Sequence, residues 1–268
     1  MFRFADGALQ AAGRRSTDGG KTWTDAPGPW VGACQLPDGE VISLDYRTHA
    51  AAEKGWFTSD LTRFDASGAP LPTLQARLHV PELVPFVDDD GSTRDGPWCD
   101  HAIIVLKDQS LLAANCGCFA SDTTPVSSYP GQFKASKYRG FVTRSTDRGL
   151  TWEYLSTVTS DPTLGSEGCN EMDLIRAPEG DILCIYRTGG DRAHPSPLYQ
   201  SRSADEGNTW GPPERIADRG VWPNTCLTDE GVLVCTYGRP GNWLTFSLDS
   251  GRTWTGHFCF HEGGTTSY

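Results

Sequence analysis

The chain has 268 residues, enough for one large domain, and its 37% hydrophobic and 21% charged residues support a packed core and exclude extended disorder. A net charge of −11 excludes a nucleic-acid partner held by counterion release, and leaves any anion site to be built locally from clustered arginines. With no apolar run long enough to span a membrane, no signal-peptide pattern at the start and nine cysteines without paired C-x-x-C spacing, the expectations are a cytoplasmic protein with no membrane span, no metal and no organic cofactor.

In chain order, Asp6-Gly7 before Ala8-Leu9 predicts a short β-hairpin, and Ser16 to Trp23 reads S-T-D-G-G-K-T-W. Leu36-Pro37-Asp38-Gly39 before Val41-Ile42-Ser43-Leu44 predicts a second hairpin, and Ser59-Asp60 reads as a degenerate copy of the first motif. A Pro-, Asp- and Gly-rich insertion is expected over roughly residues 67–95. Leu106-Lys107-Asp108-Gln109 before Leu111-Leu112 starts a third hairpin, and the pattern S-x-D-x-G-x-T-W returns at Ser145 to Trp152. Glu179-Gly180 before Ile182-Leu183 and a box at Ser203 to Trp210 make a fourth unit; Glu230-Gly231 before Val232-Leu233 and a box at Ser247 to Trp254 make a fifth. No stretch has helical periodicity, and a repeat of about 40 to 45 residues is one four-stranded propeller blade. The box Asp is expected to accept hydrogen bonds from its own turn, the Gly to supply positive φ and the Trp to cover the hairpin end, a structural staple rather than a catalytic group. Cys116, Cys184, Cys226 and Cys235 lie in apolar strand-like runs and read as buried reduced thiols.

The repeat also locates a site. Propeller ligands bind at one end of the central channel, where inner strands meet. Nine residues before Gly39, Gln109, Gly180 and Gly231 stand Trp30, Asp100, Glu171 and Trp222. Seven or eight residues after the same turns stand Arg47, Arg187 and Arg239. Arginines and carboxylates converging on one axis are costly without an anion to hold; the alternative is solvated turn residues that pair only with each other.

The S-x-D-x-G-x-T-W boxes resemble the Asp-box repeats of the sialidase superfamily, over essentially the whole chain. Asn170-Glu171-Met172-Asp173-Leu174 through Ile185-Tyr186-Arg187 is similar to that family's glutamate-strand-arginine segment, Tyr237-Gly238-Arg239-Pro240-Gly241 to its blade-five arginine, and Gly264-Thr265-Thr266-Ser267-Tyr268 to the start of blade six, where the family places its tyrosine. The resemblance implies an all-β, six-bladed propeller of four-stranded antiparallel blades, a single domain over residues 1–268, incomplete at its start and with the last blade largely missing. It implies an exo-acting glycosidase that releases terminal sialic acid from a glycan or small-molecule substrate bearing a carboxylate. Arg187 and Arg239, with Arg47 as a further contact, would clamp that carboxylate, because a planar guanidinium meets it bidentately. Tyr268 would attack the anomeric carbon and Glu171 would take its proton, since a phenol of pKa about 10 needs a base. The family's first arginine falls before residue 1 on this count, and Ala8 to Arg15 is too short for the loop that carries its general-acid aspartate. Asp100, with His101 beside it, is the substitute. Trp30 and Trp222 either stack on a sugar face or pack the core. Hydrolysis of another acidic sugar and a non-catalytic glycan- or protein-binding role remain as competing readings.

Overall fold

The structure is a computed structural model, and it describes residues 2–29, 32–87, 91–127, 136–190 and 195–263; at His101 it describes only the backbone. The described residues form strands and no helix, so no helix is long and apolar enough to cross a membrane. The first antiparallel unit holds β1 (Phe2–Arg3), β2 (Leu9–Ala11), β3 (Arg14–Ser16) and β4 (Thr24–Asp25). The second holds β5 (Cys34–Gln35), β6 (Val41–Leu44), a short β7 (His49–Ala50), β8 (Trp56–Phe64) and β9 (Pro70–His79). A separate ribbon, β10 (Phe86–Val87) with β11 (Thr93–Arg94), precedes the third unit of β12 (Trp98–Val105), β13 (Leu111–Gly117), β14 (Arg139–Ser145) and β15 (Thr151–Thr159). The fourth holds β16 (Asn170–Arg176), β17 (Ile182–Arg187), β18 (Leu198–Ser203) and β19 (Glu214–Ala217). The fifth holds β20 (Val221–Leu227), β21 (Leu233–Gly238), β22 (Asn242–Ser247) and β23 (Thr255–His261). Parallel pairing of Thr151–Glu153 with Arg77–His79 fuses the second and third units into one nine-stranded curled sheet.

The first strands of units two to five lie side by side, β5 on β12, β12 on β16 and β16 on β20, as in a propeller. The core consists of the seams between units. Ile42, Leu61, Leu111, Phe141 and Trp152 fill the seam of units two and three. Leu112, Val142, Met172, Ile182 and Tyr186 fill that of three and four, and Ile185, Leu198, Cys235 and Tyr237 that of four and five. Each such side chain contributes roughly 2 kcal/mol by leaving water. Phe4, Ala8, Val41 and Phe64 join unit one to unit two, and the Arg3–Asp229 ion pair at 3.3 Å links unit one to the β20–β21 turn.

The boxes sit between the third and fourth strands of units one, three, four and five. In each, the Ser hydroxyl donates to the Asp carboxylate at 2.8–2.9 Å, and the Asp accepts the amide four residues on, also at 2.8–2.9 Å. The Thr22 and Thr253 hydroxyls and amides hold Asp18 and Asp249 down to about 2.

Three expectations need correction. Ser59 and Asp60 are not a box: they lie in the middle of β8, where paired strand residues cannot form a turn. The unit-two turn is Asp65 to Gly68, whose Asp65 carboxylate accepts the Ser67 and Ala69 amides at 2.9 Å. The stretch over residues 67–95 is not all insertion, because it contains β9, the unit's fourth strand. Cys226 is exposed at the end of β20, whereas Cys116, Cys184 and Cys235 are buried. The residues expected to open a sixth blade, 264–268, lie outside the described residues.

Candidate active site

The inner strands share a defect at one level. Their pairing is irregular between Cys99 and Ile103 in β12, between Asn170 and Met172 in β16, and between Val221 and Asn224 in β20. Glu171 and Trp222 take positive φ, 44° and 53°, inside their irregularities. A bulge turns a side chain away from the regular alternation, and here three bulges bring Asp100, Glu171 and Trp222 to the same end of the inner ring.

Glu171 is the hub. One of its oxygens accepts Arg187 Nη1 at 2.8 Å, and the other accepts the Trp222 backbone N–H at 2.8 Å. Arg187, which ends β17, also donates from Nη2 to Glu167 at 3.2 Å, and Asn170 holds the second Glu167 oxygen at 3.0 Å. The Arg187, Glu167 and Glu171 side chains are 11%, 7% and 11% exposed, so one guanidinium is buried between two carboxylates. Asp100 is different. It is 5% exposed, its Oδ1 meets the Cys116 thiol at 3.8 Å, and its Oδ2 has no hydrogen-bond partner among the described residues. Burial pushes its pKa well above the usual carboxylate range, the nearby Glu171 charge adds to this, and the Met172 and Glu171 amides offset only part. Burial thus favours the protonated form of Asp100, beside an ion-paired carboxylate.

Tyr46 completes the cluster, and the sequence reading missed it. Its ring lies between Trp98, with centroids 6.4 Å apart, and Trp222, at 6.1 Å. Burial, reinforced by Cys116, Asp100 and Glu171, raises its hydroxyl far above the ordinary phenol value. Trp98 in turn packs edge-on to Tyr138 at 5.0 Å and against Phe86 at 4.8 Å, a buried aromatic wall. The available signal was a stricter count. Seven residues after the hairpin turns stand Tyr46, Cys116, Arg187 and Gly238, of which the first three join this cluster.

Of the expected site residues, the structure brings together Asp100, Glu171, Arg187 and Trp222. Arg239 follows β21 next to Gly238, which pairs with Val221, so it stands at the Trp222 end of unit five. Arg47 does not join the group. It is exposed and lines a small hollow with Thr48, His49, Thr93, Arg94 and Trp98, because its neighbour Tyr46 takes the inward position. Trp30, Tyr268 and the His101 side chain lie outside the described residues. Among the described residues no cluster of His, Cys, Asp or Glu is arranged to hold a metal ion. Chemically, the cluster offers a buried carboxyl group whose protonated form is favoured, a carboxylate held by a guanidinium and an amide, and three aromatic rings.

Comparison with known proteins fixes the family. Residues 101–268 match the model described as BNR repeat-like domain. No curated protein matches the chain. Among solved structures, a protein of unknown function from Dyadobacter fermentans DSM 18053 is similar at 20% identity, with a TM-score of 0.65 over 94% of this chain and 72% of that one. The α-L-arabinanase of Penicillium chrysogenum, solved with arabinobiose, is similar at 14% identity and a TM-score of 0.56 over 90% of this chain and 70% of that one. The GH93 α-L-arabinofuranosidase of Fusarium graminearum, also solved with arabinobiose, is similar at 15% identity and a TM-score of 0.53 over 85% and 65% of the two chains. At these identities the likeness shows a shared all-β, propeller-like fold. With more than half of its length matched to that family model, the chain belongs to the BNR repeat-like domain family.

Proposed function

We propose that the chain is an exo-acting glycoside hydrolase that cleaves at the inner-ring cluster, with a terminal sialic-acid-type sugar as substrate. The observation that carries a hydrolase is Asp100, whose burial favours the protonated form, beside the ion-paired Glu171 and close to the rings of Tyr46, Trp98 and Trp222. A glycosidase needs a protonated group for the leaving oxygen and a second group on the other side of the sugar. Asp100 gives its proton to the leaving oxygen as the anomeric bond breaks. In the sialidase-type scheme the Tyr268 oxygen attacks the anomeric carbon while Glu171 takes the phenol proton; water then attacks the same carbon, giving a proton back to Asp100, and the departing Tyr268 oxygen takes its proton back from Glu171. Arg187 and Arg239 face the substrate carboxylate, with Trp30 and His101 as outlying contacts. Sialic-acid specificity rests on the sequence resemblance.

A second reading is a terminal neutral sugar such as arabinose. The observation in its favour is that Arg187 is already matched by Glu167 and Glu171, which leaves less of its charge for a substrate carboxylate. Two structures of like fold were solved with arabinobiose. The test is hydrolysis of fluorogenic aryl α-sialoside and aryl α-L-arabinofuranoside side by side. Sialoside turnover that disappears in Glu171→Gln and Tyr268→Phe is the expected result. Turnover of the arabinofuranoside alone selects the neutral sugar. Turnover of neither by folded protein points to a non-catalytic glycan binder.

A further inference from the structure

The seams between units two and three, three and four, and four and five share one construction. The earlier unit offers the third residue after its first hairpin turn, which is Ile42, Leu112 or Leu183, and the later unit lays its box glycine on that residue, Gly149, Gly207 or Gly251. All three glycines are buried. The box tryptophan of the later unit, Trp152, Trp210 or Trp254, packs in the same seam. At the rim of the last seam a charge pair follows: Arg252, next after its box glycine, meets Glu179, next before the turn glycine of unit four.

Unit five repeats the offering half of this construction with nothing laid on it. Its third residue after the turn is Val234, which no described glycine meets. Cross-strand pairing sets Val234 beside Phe246 and Leu244 beside Phe258, on the face opposite Leu233, Cys235 and Tyr237, which are buried toward unit four. Phe258 is 59% exposed and the other three are half-buried, and among the described residues none of the four joins a buried cluster. A contiguous apolar face of this kind marks an interaction surface. Glu230, the counterpart of Glu179, is exposed and makes no ion pair among the described residues.

Unit one repeats the receiving half. Its box glycine, Gly20, is only half-buried, and a Cβ there would meet nothing but Leu9 and Trp23 of its own unit. Trp23 joins no buried cluster, unlike the other three box tryptophans, and Leu9 is half-buried where its counterparts Leu111, Ile182 and Leu233 are buried against the preceding unit. Lys21, the counterpart of Arg252, is exposed and makes no ion pair among the described residues. Every copy of the chain therefore carries one unfilled half of each kind, apolar on both sides, with opposite charges at the matching rim positions. We propose that unit one of a second copy docks on the free face of unit five, with Gly20 on Val234, Leu9 and Trp23 against the apolar patch and Lys21 facing Glu230. The two surfaces differ, so the contact is heterologous and copies add head to tail. It is independent of the reaction at the inner ring.

The experiment is sedimentation equilibrium of the whole chain across a wide range of protein concentration. The average mass is expected to rise with concentration above the 29.2 kDa of one copy. Val234→Asp puts a carboxylate on the free face and should hold the protein at one copy without changing its melting temperature by more than a few degrees. Lys21→Glu and Glu230→Lys change exposed residues only. Each should weaken association about threefold or more, because like charges then meet at the rim, and the double variant should recover it. A mass of one copy at every concentration would overturn the proposal. So would association indifferent to Val234→Asp, which would place the contact elsewhere. Association weakened by Val234→Asp and Glu230→Lys but indifferent to Lys21→Glu would mean that two unit-five faces meet each other, and single charge variants that the double variant does not rescue would exclude the pairing of Lys21 with Glu230; either result would also overturn it.

Discussion

Asp100 is a buried carboxyl group with one oxygen unmatched, which favours its protonated form, and as a proposed general acid that form would serve as the proton donor. Asp100→Asn keeps the volume and removes the proton. Hydrolysis of a substrate with a poor leaving group should fall about 10²-fold or more, and an activated aryl glycoside should lose far less, because its leaving group needs no proton. Equal losses on both substrates would show that Asp100 acts by positioning Cys116 and the Met172 segment. At this scale the sequence was partly legible. Counting back from the hairpin turns found Asp100, Glu171 and Trp222, because bulges at one level of the repeat put them in one place. Counting forward found Arg187, and it took Arg47 where Tyr46 is the inward residue. That one-residue error comes from strand alternation: a shift of one position exchanges the two faces.

A box does more than close its own hairpin. Its two middle residues take positive φ in succession, 64° and 88° at Arg148-Gly149, 59° and 85° at Glu206-Gly207, 59° and 79° at Ser250-Gly251. The box glycine then meets the second strand of the preceding unit. A Cβ added at Gly149 would come within 3.1 Å of Ile42, one at Gly207 within 2.9 Å of Leu112, and one at Gly251 would collide with Leu183. Ion pairs follow the same geometry, from Arg148 to Asp38 and Glu40, from Glu206 to Lys107 and from Arg252 to Glu179. With at least one partner of each pair half-exposed or more, they add little stability and mainly set register. Gly251→Ala should therefore lower stability by about 1–3 kcal/mol beyond the backbone strain, seen as a reduced urea midpoint. Gly13→Ala, at a φ of 74° with open space around it, should show the strain cost alone. The boxes were plain in the sequence; their grip on the neighbouring unit was not, because it depends on how one sheet twists over the next.

The seam between β16 and β20 has a titrating element of its own. Asp173 is buried and accepts the Thr225 amide at 2.5 Å across the seam, and burial raises its pKa to about 7. The folded state holds this proton more tightly than the unfolded state, whose value is about 3.9. The favourable contribution is therefore complete below about pH 4 and is lost as pH rises toward 7, by roughly 4 kcal/mol at most. Asp173→Asn keeps an acceptor for Thr225 and removes the titration. Urea midpoints measured from pH 4 to pH 8 should decline in the parent relative to Asp173→Asn, and parallel curves would show that Asp173 is ionised in the folded protein.

At the scale of the whole molecule, five four-stranded units are described, and the propeller expected from the boxes is met in its all-β units and seam cores. The count of six came from resemblance, and the segment that would begin the sixth unit lies outside the described residues. Cysteine chemistry reports on how well the units close. All nine thiols are free; Cys226 is exposed, Cys259 is half-buried, and the other seven are buried, mostly in the seams. Burial raises the Cys34 and Cys235 thiols to about 12 and raises Cys116, Cys169 and Cys184 well above the free value, so almost no thiolate forms at neutral pH. A thiol reagent under native conditions should modify Cys226 first and Cys259 more slowly. The remaining seven should react only at the rate at which seams open, accelerating in urea together with the loss of tertiary signal. Cys226→Ser should abolish the first phase. Rapid native modification of four or more thiols would mean that neighbouring units separate without global unfolding, and the seams would then be contacts between independently opening sheets rather than one cooperative core.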